Sequence, residues 1–204
     1  IFAGSQALDA DAIAEMQHAT VALAARIAGE VGVIPPLVNL GGGLGVPYFA
    51  NDRRLDLSQI GTRLGAVLDE HESALAGTQF AIELGRFLVA EAGIYCCRIV
   101  DRKLSAGELF LITDGGLHHQ LAASGNFGTV IRRNYPVVIA NKFSSPAAEV
   151  AHIVGCLCTP LDRLADQIAV PAAEVGDIVA VFLAGAYGSS ASPAKWWPNS
   201  CTNR

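Results

Sequence analysis

The chain has 204 residues, of which 51% are hydrophobic and 16% are charged, and its formal net charge is −5 at pH 7. This length suits one large domain or two modest ones, and the apolar composition predicts a deep core or a large buried interface. The acidic balance argues against nucleic acid as the main partner. The longest apolar runs are far too short to cross a bilayer. The chain opens without Met or a basic leader, so we expect no signal peptide and a natural start upstream of Ile1.

Cysteine and histidine usage points away from structural metal sites. An odd number of cysteines, with no spacing typical of a zinc site, favours a reducing, cytoplasmic compartment: Cys96, Cys97, Cys156, Cys158 and Cys201. The adjacent residues His118 and His119 could be metal ligands, but neighbouring histidines on a loop are more often solvated. We therefore expect no metal site.

The first 93 residues alternate between strand and helix patterns. Residues 1–6 are expected to end a strand, and a helix is expected between Asp9 and Gly32, where apolar residues recur at helical spacing. The next expected elements are a strand at residues 37–40, a helix at 57–76, a strand at 79–82 and a helix at 87–92. This alternation is typical of parallel βα units.

After Gly93 no long helical period appears, and short strands separated by turns take over. The expected strands cover residues 94–103, 108–113, 135–140, 149–154 and 178–183. We therefore place a domain boundary after residue 93, with half of an α/β domain before it and an antiparallel β domain after it. Residues 195–204 have no periodicity and are expected to form a tail.

Three consecutive glycines, Gly41, Gly42 and Gly43, follow the strand expected at 37–40. Glycine has no Cβ, so successive backbone N–H groups can point at one anion such as a phosphate. The spacing is neither that of a P-loop nor that of a dinucleotide-binding fingerprint. On these residues alone, a tight turn without a ligand is an equally good interpretation.

Polar residues also follow two other expected strands, at the ends where βα architectures bind ligands. Ser5 follows the first strand, and Glu83 and Arg86 follow the third. A local ion pair between Glu83 and Arg86 is the simpler explanation for those two residues. Together with the glycine run, however, these strand ends offer a hydroxyl, backbone donors, a carboxylate and a guanidinium, which suits a phosphorylated cofactor with a second polar end.

The second half contains two further candidates. Cys158 lies in the run 155–162, and a loop cysteine can transfer a proton or attack as a thiolate, although an inert buried thiol is the default without a histidine partner. Asp162 nearby weakly favours a polar site. Tyr187 stands between small residues at a strand end, and these flanks would let a ligand pack against a tyrosine that is otherwise structural.

Taken in order, these motifs resemble the fold-type III pyridoxal-phosphate decarboxylases, which include diaminopimelate, ornithine and arginine decarboxylases. The resemblance covers nearly the whole chain and rests on residues 4–6, 41–45, 83–86, 114–116, 158–162 and 184–188. Residues 118–136 are most similar to a subgroup associated with exosortase or exopolysaccharide loci, related to enzymes that decarboxylate carrier-bound aminoacyl groups. The resemblance implies that residues 1–93 are the C-terminal part of a (β/α)8 TIM-type barrel, and that residues 94–204 are a C-terminal antiparallel β-barrel or sandwich.

The same resemblance implies the cofactor and the chemistry. The cofactor would be pyridoxal 5'-phosphate, acting as an electron sink in an amino-acid decarboxylase. Glu83 would keep its pyridinium nitrogen protonated, and Tyr187 would reach its phosphate or the substrate. The residues implied to bind the cofactor besides these two are Ser5, Gly41, Gly42, Gly43, Gly85 and Arg86.

The implied assembly is a cytoplasmic homodimer with shared active sites, in which Cys158 from the partner subunit reprotonates Cα. The substrate would be a diaminopimelate-like amino acid or a carrier-bound aminoacyl group. The residues implied to contact it are Arg86, Thr159, Asp162 and Tyr187, with Asp162 near its distal end or the dimer interface. Two alternatives stay open: a non-catalytic homologue that acts as a binding or regulatory partner, and a pyridoxal-phosphate amino-acid racemase, which would not share the cysteine loop.

Four departures from the family pattern matter. The lysine that bonds the cofactor lies ahead of Ile1 in the family, so we expect a truncated chain that is inactive by itself. Phe2 stands where many members have a histidine that stacks on the cofactor ring. Thr159 replaces the acidic residue of amine-binding members, which disfavours a free diamine-type substrate. The tail from Lys195 does not resemble the closing strand of the family.

Overall fold

The structure is a computed structural model that describes residues 4–125 and 133–193. Phe2 and the 195–204 tail, on which two of the expectations above depend, lie outside the described residues. The chain divides into two compact units, residues 1–88 and 89–204. Within the described ranges, none of the helices combines the length and the apolar character needed to span a bilayer.

The first unit contains the helix expected between Asp9 and Gly32, and α1 spans Ala10–Val31. The Asp9 carboxylate caps its first turn by accepting from the N–H of Asp11 at 2.9 Å. Gly32 ends the helix in the left-handed conformation, with φ of 71°. This C-terminal glycine cap and the acidic N-cap explain why both boundaries were predictable from sequence.

Strands β1 (Leu37–Gly42) and β2 (Gln79–Glu83) pair in parallel, and α2 (Leu57–Glu70) lies between them in the chain. This order confirms the predicted βα alternation. Helix α2 ends earlier than the expected residue 76, because His71 adopts a non-helical conformation and the chain continues in turns. A short helix, α3 (Gly85–Val89), follows β2.

Two apolar clusters lie in the described part of the first unit. The larger one joins α1 to β1 through Val21, Ala28, Val38 and Leu40 together with Leu75, and side chains of α2 and β2 pack against it, namely Leu64, Val67, Leu68 and Phe80. The smaller one contains Ile13, Leu44 and Ile60.

Leu57, expected on the apolar face of α2, is instead 48% exposed because it lies in the first turn. Residues 1–3 of the strand expected at 1–6 lie outside the described residues. Residues 4–6 form no strand, and Ala7 makes an isolated parallel bridge with Leu44.

In the described residues of the second unit, six strands form one mixed sheet with strand order β5-β8-β3-β4-β6-β7. Its two edge strands, β5 and β7, also contact each other, so the sheet nearly closes into a barrel. The strands are β3 (Tyr95–Ser105), β4 (Glu108–Thr113), β5 (Val137–Ile139), β6 (Glu149–Val154), β7 (Arg163–Val170) and β8 (Ile178–Val181). The core between them is fully buried and includes Ile99, Leu111, Ile153, Leu164 and Val179.

Two features of this sheet differ from expectation. Strands β4 and β6 pair in parallel, with Leu111 opposite Ile153, because the chain crosses through β5 before it returns. Strand β7 was missed because Gln167, at φ of 48°, and Asp166 interrupt its alternation of apolar residues. The division into units falls at Leu88/Val89, close to the boundary expected after residue 93. Assigning the units to the two family domains stays a prediction.

Candidate functional site

The glycine run lets three backbone segments meet in the first unit. A Cβ on Gly42 would lie 2.0 Å from the carbonyl oxygen of Glu83, and a Cβ on Gly43 would lie 2.1 Å from that of Gly4. Gly43 also has φ of 84°, which favours glycine. The run is therefore explained by close backbone approach, and it brings Ser5 and Glu83 to the carboxyl end of β1.

Asn39 fixes the carboxylate at the end of β2. Its side-chain nitrogen donates to Oε1 of Glu83 at 2.7 Å, and its Oδ1 accepts from the N–H of Gly41 at 2.7 Å. The Glu83 carboxylate is thus oriented while it stays exposed at the strand end. Sequence analysis missed Asn39, although a polar residue inside an otherwise apolar strand run was the available indication.

Gln6 and Tyr48 position the guanidinium of Arg86. The Nη1 of Arg86 lies 3.4 Å from Oε1 of Gln6, and its Cζ lies 5.5 Å from the centre of the Tyr48 ring. Gln6 has φ of 62°, and its side-chain amide pairs with both the N–H and the carbonyl of Val46. This pairing ties the segment before α1 to the loop after the glycine run and gives Arg86 a fixed neighbour.

The first unit therefore gathers Ser5, the glycine run, Glu83 and Arg86 around one group of strand ends. Space is open beside them, since a Cβ on Gly4 or Gly85 would meet no atom within 4 Å. The donor set combines a carboxylate with a guanidinium, a hydroxyl and backbone amides. Such a set fits a ligand that carries a protonated ring nitrogen at one end and a phosphate at the other.

In the second unit, Asp162 is buried and organises two loops. One carboxylate oxygen accepts from the N–H of Leu117 at 2.6 Å and the other from that of Leu157 at 2.8 Å. A Cβ on Gly116 or Gly155 would lie 2.1 or 2.2 Å from this carboxylate. Both glycines therefore make room for Asp162. Its assignment to substrate binding stays a prediction, and the structure gives it a role within the loops.

Cys158 lies in the loop that Asp162 holds, between β6 and β7, and its side chain is exposed. Exposure removes the default explanation of an inert buried thiol. Thr159 is half-buried, and its carbonyl accepts from the N–H of Asp162 at 3.2 Å. Leu157 and Leu161 on the same loop are 39% and 56% exposed. The loop therefore presents a thiol with apolar neighbours to its surroundings.

Tyr187 adopts φ of 59°, a conformation that costs a non-glycine residue about 1–2 kcal/mol and that often occurs at functional sites. Its small neighbours are required by packing. A Cβ on Gly185 would lie 1.7 Å from the carbonyl oxygen of Val89, and a Cβ on Gly188 would lie 2.3 Å from Oε1 of Gln120. The strained backbone supports a functional interpretation, whereas the small flanks have a structural explanation.

Gly188, the residue after Tyr187, lines a cavity of about 470 Å³. It is lined by Ile94, Tyr95, His119, Gln120, Ala184, Gly188, Ser189 and Ser192, none of which is a lysine, arginine or carboxylate. The Tyr95 hydroxyl lies 3.3 Å from Nδ1 of His119. Burial raises the pKa of Tyr95, while burial and then the neighbouring His118 lower the pKa of His119. The lining residues that the structure describes therefore favour neutral side chains, a property that sequence reasoning did not predict.

The expectation that His118 and His119 are solvated is wrong for His118. This residue is 8% exposed, and neither ring nitrogen has a hydrogen-bond partner within the described ranges. The turn before these histidines is tight, because the N–H of His119 donates to the carbonyl of Gly116 at 3.0 Å. It also packs closely against Tyr95, since a Cβ on Gly115 would clash with the tyrosine hydroxyl. His119 is half-buried and lines the cavity.

Comparison with known proteins identifies the family and the fold. A family model described as "Pyridoxal-dependent decarboxylase, C-terminal sheet domain" matches residues 10–185. The L-glutamyl-[BtrI acyl-carrier protein] decarboxylase of Niallia circulans is 40% identical over 200 residues, covering 96% of this chain and 46% of that protein. The diaminopimelate decarboxylase of Bacillus methanolicus is 32% identical over 159 residues, covering 76% of this chain and 36% of that protein.

Among solved structures, diaminopimelate decarboxylase from M. jannaschii in complex with L-lysine matches with a TM-score of 0.79 and 24% identity. The match covers 94% of this chain and 42% of that one, and it shows the shared fold. The chain spans less than half the length of each of these three relatives.

Proposed function

Because the chain belongs to the pyridoxal-dependent decarboxylase family, we propose that it supplies cofactor- and substrate-binding residues to an enzyme that decarboxylates an amino acid. The observation that carries this proposal is the pair of charged side chains at the end of β2. Asn39 holds the carboxylate of Glu83, and Gln6 lies beside the guanidinium of Arg86. In this proposal the first unit is part of a (β/α)8 barrel, and the second is the C-terminal β domain.

When bound, pyridoxal phosphate supplies an electron sink for the electron pair left behind as CO₂ departs. Glu83 holds a proton at the pyridine nitrogen. The hydrogen bond from Asn39 Nδ2 to Glu83 Oε1, 2.7 Å long, supports this role because it orients the carboxylate. Arg86 binds the phosphate together with Ser5, the glycine run and Gly85. The contacts of Arg86 with Gln6 and Tyr48 support this role, because they orient the guanidinium before the ligand arrives.

Cys158 acts as the acid that returns a proton to Cα, in the active site of the partner subunit of a homodimer. Its exposed thiol supports this role, and exposed Leu157 and Leu161 suit contact with a second copy of the chain. Thr159 and Asp162 shape the loop that approaches the substrate. Tyr187 reaches the phosphate or the substrate, and its left-handed backbone supports a functional position.

The substrate in this proposal is a carrier-bound aminoacyl group. The 40% identical relative from N. circulans acts on an L-glutamyl group on a carrier protein. Thr159, which replaces the acidic residue of amine-binding members, also disfavours a free diamine-type substrate.

The compartment is proposed to be the cytoplasm. The cysteines that the structure describes are thiols and not half-cystines, namely Cys96, Cys97, Cys156 and Cys158. Free thiols persist in a reducing compartment, and three of these four are exposed to it.

The test measures CO₂ release by the natural protein that carries this chain, with glutamyl-carrier protein, free glutamate and diaminopimelate as substrates. We expect the carrier-bound substrate to react at least about 100-fold faster, expressed as kcat/KM. Cys158→Ala should lower kcat strongly while cofactor stays bound, and Cys156→Ala is the matched exposed-thiol control. Bound cofactor without CO₂ release from any of the three would contradict the proposal, and an unchanged Cys158→Ala rate would remove the acid role.

A further inference from the structure

Three potential metal ligands converge where α1 meets the end of α2. His18 lies on α1, Glu70 is the last residue of α2, and His71 caps that helix. Each offers one ligand atom, and these atoms all lie within 4.8 Å of one another. His18 lies far in the sequence from the adjacent pair Glu70 and His71, so residue spacing gave no indication of a site. The convergence is produced by the packing of the two helices in the first unit.

His71 carries a second, independent indication. Its Nε2 atom is buried and has no hydrogen-bond partner within residues 4–125 and 133–193. Leaving a buried polar atom unsatisfied is costly, so native structures do so rarely and usually for a reason. A bound cation would satisfy an imidazole nitrogen that the protein itself does not.

The backbone of His71 is also held in place. The N–H of His71 donates to the carbonyls of Val67 and Leu68, and its own carbonyl accepts from Ala74 and Leu75. Its backbone cannot shift without breaking these bonds. His18 and Glu70 have exposed side chains that can swing inward by the small distance needed for coordination at about 2.0–2.2 Å.

We propose that His18, Glu70 and His71 form a binding site for a divalent transition-metal ion, with Zn²⁺ as the best match. Two imidazoles and one carboxylate are a ligand set that zinc uses, and three protein ligands leave a position for water. Imidazole ligands disfavour Ca²⁺ and Mg²⁺, which prefer oxygen. The ion would join α1 to α2 and stabilise the first unit, because it binds the folded chain and not the unfolded one. This proposal differs from the expectation of no metal site and is independent of the proposed decarboxylase function.

The experiment uses the tag-free chain, titrated with Zn²⁺ in a calorimeter. We expect one Zn²⁺ per chain and at least tenfold weaker binding in His18→Gln, Glu70→Gln and His71→Gln. Asp69→Asn is the matched control, since it removes an exposed carboxylate next to the site and should bind as the wild type does. Circular dichroism of each variant checks folding, because a lost site in a folded variant is the result that counts.

Co²⁺ separates this site from the exposed cysteines. Nitrogen and oxygen ligands give a visible Co²⁺ spectrum without the near-ultraviolet thiolate charge-transfer band. We expect that spectrum in the wild type and its loss in His71→Gln. A thiolate band, Zn²⁺ affinity that survives all three ligand variants, or no stoichiometric binding would each overturn the proposal.

Discussion

The side-chain amide of Asn39 donates to the carboxylate of Glu83 at 2.7 Å across two neighbouring parallel strands. This contact fixes the direction of the charged group that we assign to the ring nitrogen of the cofactor. Asn39 also accepts from the N–H of Gly41, so the same side chain ties the carboxylate to the glycine run. The strand pair and the glycine loop therefore act as one unit in holding Glu83.

Asn39→Ala is expected to weaken pyridoxal-phosphate binding about fivefold, since one hydrogen bond to a charged group contributes about 1 kcal/mol or more. The measurement is a fluorescence titration of the protein with pyridoxal phosphate. Asn51→Ala, on an exposed turn outside the site, is the control. Equal affinities for the Asn39 variant and the wild type would show that Glu83 does not need this partner.

Asp162→Ala is expected to destabilise the second unit by about 2–4 kcal/mol. The change leaves two backbone N–H groups, those of Leu117 and Leu157, without their buried acceptor. Urea unfolding followed by circular dichroism measures the loss. Asp101→Ala, an exposed carboxylate of β3, should change stability by less than about 0.5 kcal/mol. Similar unfolding curves for the two variants would refute the organising role of Asp162.

The Asp177 carboxyl gives the second unit a pH dependence. Burial alone would raise its pKa, but hydrogen bonds from Lys142, the N–H of Glu174 and Asn141 outweigh this and lower the pKa from 3.8 to about 2. Because the folded-state pKa is depressed, its contribution is fully present above about pH 4 and is lost as the pH falls towards 2. Asp177→Asn should therefore be less stable than the wild type at pH 7, and the gap should close near pH 2. A gap that is constant with pH would contradict this assignment.

Local patterns predicted much of the fold. The caps of α1, the strand at β4 and the parallel βα order are all encoded within short segments, so sequence spacing was enough. The direction of the β4–β6 pair was not predictable in the same way, because it depends on where the chain crosses through β5. Strand β7 was missed because the adjacent polar residues Asp166 and Gln167 interrupt the apolar alternation that identifies a strand. Gln167 has a positive φ at this interruption.

The candidate site was also predictable from the sequence only in part. The rule that ligands bind at the carboxyl ends of parallel strands was enough to group Ser5, Glu83 and Arg86 from the sequence. The side chains that hold them, Asn39 and Gln6, act across segments distant in the sequence, and no local pattern reveals such pairs. His118 was misjudged for a related reason, since a tight turn buries a residue that looked like part of a solvated loop.

The central claim is that the carboxyl ends of β1 and β2 bind pyridoxal phosphate. The most direct measurement is titration of the cofactor-free natural protein that carries this chain with pyridoxal phosphate, followed by the ³¹P resonance of its phosphate. We predict saturable binding of one equivalent, at least tenfold weaker in Arg86→Met and unchanged in Arg63→Met, an arginine on the exposed face of α2. No saturable binding, or equal binding by the Arg86 and Arg63 variants, would contradict the account.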